Sequence, residues 1–327
     1  MGTGPLILPL SILAAAGLSW ALVRQFCRPS SRLYWLDRPN DRSLHDRPTP
    51  RTGGIGIMIG TTAGWALAGM PMALAFAASI ALTAVSLWDD AKGLPVAWRL
   101  ISHVAAAAAL VLAAGEPLWP ACGLILAIVW MTNLYNFMDG SDGLAGGMAL
   151  FGFLAYAVAA GRQDAGDLAS LAMLVAAAGA GFLPFNFSPA RIFMGDAGSI
   201  PLGFLAAALG FEGWRREIWP AWFPLLVFSP FVADATVTLL RRAWRRQPVW
   251  RAHREHAYQK LVCLGWSHRR VAVHAYGLML AAGLSALLLA TRPVHWQWLG
   301  LAGWAVIYAL VFLAVELRWR RFGGTLP

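Results

Sequence analysis

The chain has 327 residues, 58% of them hydrophobic and 13% charged, with a mean hydropathy of +0.58 and a net charge of +10. Soluble globular domains carry about 25% charged residues, so the composition excludes a soluble protein and indicates a single polytopic membrane domain. Cys27, Cys122 and Cys263 are odd in number and scattered, which excludes a disulfide framework and a zinc site.

A membrane-crossing helix needs about 20 mostly apolar residues. In chain order, segments 5–25, 53–70, 71–88, 99–115, 118–136, 144–161, 168–186, 198–212, 218–240, 271–291 and 296–317 qualify, so an all-α fold of about 11 transmembrane helices is predicted. No basic residue precedes the first apolar stretch, and Arg24 follows it, which predicts an uncleaved helix with its N-terminus outside. Alternating the connections from there puts 22 of the 26 Lys and Arg residues inside, seven of them in 24–51 and nine in 241–270. The positive-inside rule therefore predicts an N-out, C-in orientation. That rule, with attraction to anionic membrane lipid, accounts for the net charge without nucleic acid. Trp119, Trp214, Trp219, Trp222, Trp296 and Trp298 fall at predicted outer ends, as an aromatic belt should.

Four polar stretches fall at predicted inner ends. In DDAKGLP (89–95), Asp89 and Asp90 repel each other unless a cation or Lys92 offsets them. In NLYNFMDGSDGLAGG (133–147), Asn133, Asn136 and Asp139 recur at i, i+3 and i+6, and glycines flank Asp142. Polar groups there are costly unless they line a wet cavity, although helix capping would also use them. FNFSPARIFMGDAGS (185–199) includes Asn186, sets Arg191 as a fork for phosphate oxygens, and places Asp196 just before a helix, suited to Mg²⁺. In 241–270, His253 and His256 stand among Arg251, Arg254 and Lys260, a cationic cluster fit for pyrophosphate. A solvated basic loop would explain those arginines but not the histidines. There is no Walker A loop, nucleophile elbow, H-E-x-x-H or dinucleotide fingerprint.

In order and spacing these stretches resemble the signature of the polyprenyl-phosphate N-acetylhexosamine-1-phosphate transferases, glycosyltransferase family 4. RPNDRSLHDRPTPRTGG (38–54) and HREHAYQKL (253–261) resemble its bacterial branch that starts O-antigen or related surface glycans. The loop lacks the adjacent histidines of the peptidoglycan-precursor branch, so the resemblance implies an N-acetylhexosamine or 6-deoxy relative, not a muramyl-pentapeptide. It further implies a bacterial inner-membrane enzyme with a cytoplasmic active site. Undecaprenyl phosphate attacks a UDP-sugar, UMP leaves, and lipopolysaccharide or another surface polysaccharide is begun.

By the same resemblance Asp196 and Asn136 hold Mg²⁺, with Mn²⁺ as a substitute. Asp89, Asp90, Asp139 and Asp196 form the catalytic set. Lys92, Asn133, Asp142, Asn186, Arg191, His253, Arg254 and His256 contact substrates, Asp142 on the uridine and the basic loop on the diphosphate. A homodimer is left open. The alternatives are a transporter or flippase of lipid-linked sugar, which would hold its charges near the midplane, and a CDP-alcohol phosphotransferase, whose Arg and later Asp pair are missing from 139–147.

Overall fold

The computed structural model describes residues 6–39, 43–69, 72–248 and 253–322. Among these the chain forms thirteen helices and one two-stranded ribbon. Helices α1 (Ile7–Phe26), α2 (Gly53–Leu67), α3 (Ala73–Lys92), α4 (Val96–Ala113), α5 (Leu118–Phe137), α6 (Leu144–Gly161), α7 (Gly166–Asn186) and α8 (Asp196–Arg215) follow one another with short connections after α2. Then come α9 (Trp222–Val227), α10 (Ser229–Trp244), α11 (Ala257–Cys263), α12 (His268–Leu289) and α13 (Val294–Arg321).

Eight of the described helices are long and apolar enough to cross a membrane, and α2 is a shorter apolar helix. Their burial separates core from periphery: 72% of the apolar window of α6 is buried against 11% for α13. Helices α6, α7 and α8 form the core, α1 and α2 pack against α7, and α3 and α5 pack against α8. A helix apolar all round must be enclosed or lie in lipid, and both solutions occur here.

Several predicted elements are revised. The predicted span 218–240 is two helices, α9 and α10, parted at Phe228, with Pro230 in the first turn of α10. Proline has no N–H to continue the preceding ladder, so the helix restarts there. The fold is all-helical as predicted, with one minimal ribbon in the first loop: Leu36–Asp37 (β1) pairs antiparallel with Thr49–Pro50 (β2), Leu36 opposite Pro50 and Asp37 opposite Thr49. Loop 241–270 contains the end of α10 and the whole of α11. Trp219 is no belt residue; only 3% exposed, it stacks on Tyr156 at 5.0 Å and donates from Nε1 to the Gly210 carbonyl at 3.1 Å.

The elements that bear the polar stretches end where local chemistry ends them. Gly93, at φ +70°, stops α3, Pro95 precedes α4, and the Leu94 amide donates to Asp89 Oδ1 at 2.6 Å. Helix α8 starts at Asp196 itself, two residues earlier than predicted. It starts against α2: the Gly53 and Gly54 amides donate to the carbonyls of Phe193 and Met194 at 2.9 and 2.8 Å.

Candidate active site

At one end of the bundle a cleft of about 340 Å³ gathers the distant stretches. Its walls include Asp90 from α3, Asn136 and Asp139 from the end of α5, Asp142 from the turn before α6, and Asn186 from α7. Gly195 and Asp196 come from the start of α8, His253 and Tyr258 from the basic loop, and Asp37, His45 and Arg51 from the β1–β2 region.

Asp196 is the hub. Asn136 Nδ2 donates to its Oδ1 at 2.8 Å and to Ser199 Oγ at 2.9 Å, so α5 and α8 hold the carboxylate between them. Arg99 lies 3.6 Å from its Oδ2 and 3.2 Å from Asp89 Oδ2, linking two of the sequence motifs. Asp90 is paired instead with Arg51, at 3.3 Å. The Asp139 carboxyl has its pKa pushed well above the usual range by burial and by the negative charge of Asp196, with the Gly195 amide opposing. A cleft whose carboxylates repel one another in this way favours a cation.

The remaining predicted residues divide. Asp142 accepts from the Ala190 amide at 3.1 Å and lines the cleft. Asn186 also lines it but is engaged on both ends, accepting from the Gly143 amide and donating to the Ile192 carbonyl, each at 3.0 Å. Its role here is to fix the turn that presents Asp142. His253 lines the cleft, and burial, then the charges of His256 and Arg242, push its pKa down to about 4. It is therefore a neutral imidazole near pH 7 that can donate a hydrogen bond but brings no charge.

Others are not on the cleft wall. Asn133 donates to the Val129 carbonyl at 2.7 Å within its own helix. Lys92 is exposed at the end of α3. Arg191 donates to the Pro184 carbonyl at 3.4 Å and lies over the Phe185 ring, 4.8 Å from its centroid. Arg254 donates to the Ser43 carbonyl at 2.6 Å, bracing one loop against another. His256 is only 3% exposed, with Nδ1 3.5 Å from Asp234 Oδ1. It buttresses the cleft wall by stacking on Tyr258 at 5.8 Å. Arg251, grouped with this cluster in the sequence, lies outside the described residues.

Six residues escaped the sequence reading of the site. Asp37 just precedes, and His45 and Arg51 lie within, the stretch 38–54 that carries part of the resemblance, but no residue of that stretch was given a role. Asp234 organises the basic loop from α10, accepting from the Ala257 amide at 2.8 Å and the Tyr258 amide at 3.2 Å, so that it caps α11. Arg99 did leave a signal: with His103 it forms an i, i+4 polar pair on the otherwise apolar α4, which in a membrane helix marks a site. His268 also reaches the cleft; its Nε2 faces the Leu44 carbonyl at 3.0 Å, so that nitrogen carries the proton and Nδ1 accepts from Ser141 Oγ at 2.8 Å.

The donor set suits magnesium. Among the described residues no three carboxylate, imidazole or thiolate groups make a metal cage. Mg²⁺, however, is commonly held by one or two carboxylates together with substrate phosphates and water. Asp196 offers carboxylate oxygens and Asn136, bonded to it through Nδ2, also carries a carbonyl oxygen, and both stand beside further carboxylates.

The glycosyl transferase family 4 model matches residues 72–213, which contain Asp89, Asp90, Asn136, Asp139, Asp142 and Asp196. A decaprenyl-phosphate N-acetylglucosaminephosphotransferase of Mycobacterium leprae is 30% identical over 82% of this chain and 81% of its own length. The chain belongs to the polyprenyl-phosphate sugar-phosphate transferases of glycosyl transferase family 4. A probable undecaprenyl-phosphate N-acetylglucosaminyl 1-phosphate transferase of Bacillus subtilis is 28% identical over 86% of the chain and 83% of its own length. A phospho-N-acetylmuramoyl-pentapeptide-transferase of Moorella thermoacetica is 37% identical, but over 51% of each chain.

In this family 4 transferase, a multi-pass membrane protein, the Asp234 cap yields an expected result. Asp234→Ala leaves two amides at the start of α11 without their acceptor, a loss of about 1–3 kcal/mol where they are buried. Tyr258 and Gln259, which line the cleft from α11, then shift, so transfer falls along with the unfolding temperature. Asp234→Asn, which keeps one acceptor, should fall between. Thermal unfolding of the three proteins checks this, and an alanine variant that melts with the parent would defeat the capping account.

Proposed function

We propose that the transferase moves an N-acetylhexosamine-1-phosphate from a UDP-sugar to undecaprenyl phosphate and releases UMP. It does so at the cytoplasmic face of the bacterial inner membrane, as the first membrane step of O-antigen or a related surface polysaccharide. In this reading eleven segments cross the membrane with the N-terminus outside, and the cleft faces the cytosol. The observation that carries it is the Asp196 hub, where Asn136 and Arg99 join three motifs at the mouth of a carboxylate-lined cleft. N-acetylglucosamine is the favoured sugar, ahead of 6-deoxy relatives such as FucNAc or QuiNAc. Relatives aligned over about four-fifths of their length carry that name, whereas the muramoyl-pentapeptide match covers half.

The chemistry is a phosphoryl transfer, in which positioning and charge neutralisation do most of what a protein can do. An acceptor phosphate oxygen bonds to the β-phosphorus, the bond from that phosphorus to the bridging oxygen breaks, and UMP departs with the bridging oxygen. The acceptor monoester is already largely ionised at pH 7, so no aspartate is needed as a base. Asp142 takes the uridine, and His253 donates to the diphosphate. Arg51, the counter-ion of Asp90, is placed to share its charge with the incoming phosphate. Mg²⁺, held by Asp196 and Asn136, would supply charge neutralisation on the diphosphate.

Purified protein with undecaprenyl phosphate and Mg²⁺, offered a panel of UDP-N-acetylhexosamines, should release UMP only when lipid, metal and one sugar are all present. No release with any sugar from folded protein would refute the reading.

A further inference from the structure

Away from the cleft, on the same end of the bundle, the ends of α10 and α13 enclose a recess of about 250 Å³ lined by Arg241, Trp244, Arg245, Glu316 and Arg320. Its charges do not balance. Glu316 serves three cations, Lys260 at 2.9 Å, Arg320 at 3.2 Å and Arg241 at 3.7 Å. Glu255 serves two, Arg242 and, at 3.9 Å, Arg245. Among the described residues, five cations on two carboxylates leave an excess of three positive charges, and the arginines of the recess are its exposed members.

The recess also has a direction. On α10, Leu240 is 64% and Trp244 90% exposed. On α13, Leu313, Leu317 and Arg320 stand at i, i+4 and i+7, and both leucines are exposed, so bare apolar surface runs up to the arginines along one face. An exposed tryptophan beside cations is the arrangement found where a bilayer meets water.

We propose that this recess binds the phosphate of an acidic phospholipid, its acyl chains lying along the leucines. A soluble phosphate would satisfy the arginines but leave the leucine face unused. Basic pockets between membrane helices bind anionic headgroups by the same physics. The consequence reaches the cleft. Phosphate drawing on Arg241 and Arg320 leaves Glu316 to Lys260, which fixes α11, the helix that carries Tyr258 and Gln259 into the cleft. Headgroup binding stands apart from the proposed reaction, and only the effect on turnover rests on it.

The test uses the full-length protein and native mass spectrometry, with phosphatidylglycerol and phosphatidylcholine of matched acyl chains as probes. The parent should retain phosphatidylglycerol. Arg241→Gln/Arg245→Gln/Arg320→Gln should bind it about a hundredfold more weakly, at roughly fivefold per arginine. Arg24→Gln/Arg28→Gln/Arg32→Gln, which removes equal charge elsewhere, should bind as the parent does. Equal retention of both lipids, equal loss in the control variant, or displacement of the lipid by inorganic phosphate would overturn the site. In vesicles, adding phosphatidylglycerol to phosphatidylcholine should raise the parent's initial rate and leave the triple recess variant unchanged. A parent rate that ignores the lipid, with the adduct intact, would overturn the link to α11; a protein that turns over nothing still tests the site through its adducts.

Discussion

Asp196→Asn is expected to lower sugar-phosphate transfer by about three orders of magnitude while leaving the transferase folded. The substitution keeps the shape of the side chain. Its carbonyl oxygen still accepts from Asn136 Nδ2, which now stands at 2.8 Å from Asp196, and Arg99 keeps its second partner, Asp89, at 3.2 Å. What disappears is one formal negative charge at the point where α3, α4, α5 and α8 converge, and with it the strongest donor that the proposed Mg²⁺ would have. UMP release measures the loss, and tryptophan-monitored unfolding measures the fold. Parental turnover would sink the metal role of Asp196; a lowered unfolding transition would show a structural role instead.

Gly54→Val should destabilise the whole protein and abolish transfer with it. A side chain at Gly54 would run into the backbone of Gly198 and the Met194 carbonyl, and one at Gly198 would run back into the backbone of Gly54. Overpacking usually costs about 1–3 kcal/mol because neighbouring side chains give way. Here the obstacle is backbone on both sides, and the Gly54 amide is itself bonded to Met194 at 2.8 Å. Gly198 lies two residues after Asp196, so any retreat of α8 carries the carboxylate with it. Gly17→Ala provides the contrast: nothing lies within 4 Å of its added methyl, and the better helix former should be neutral or stabilising by up to about 1 kcal/mol. Thermal unfolding of both variants decides the matter, and parental stability of Gly54→Val would refute the close crossing.

Much of the site was legible because membrane chains rarely spend polar residues without cause. Asp90, Asn136, Asp139, Asp142, Asp196 and His253 were visible as polar interruptions of apolar runs, and all of them line the cleft. Side-chain direction was not visible. Asn133 and Asn136 share a broad face, yet one bonds its own helix and the other reaches α8. His256 reads like His253 in the sequence, but Asp234, 22 residues upstream, seizes the start of α11 and turns that imidazole inward. Arg51 and His45 lay in a loop whose path depends on a ribbon of two residues per strand, too short to leave an alternation pattern. Helix positions followed hydropathy closely, except where Pro230 divided one apolar run into α9 and α10.

The place of α8 bears on how it is held in the membrane. It is the most enclosed of the helices that reach the cleft, yet it is not among the eight long and apolar enough to cross a membrane, and Asp196, Glu212 and Arg215 stand within it. Charged residues make solitary residence in lipid costly, by a few kcal/mol each near the middle of a span and less towards its ends. Helices α3 and α5, which flank it, are both long and apolar enough to cross. The carboxylate of the cleft thus rides on a helix whose charged ends depend on a protein lining, and that lining comes from α3 and α5, which precede it in the chain.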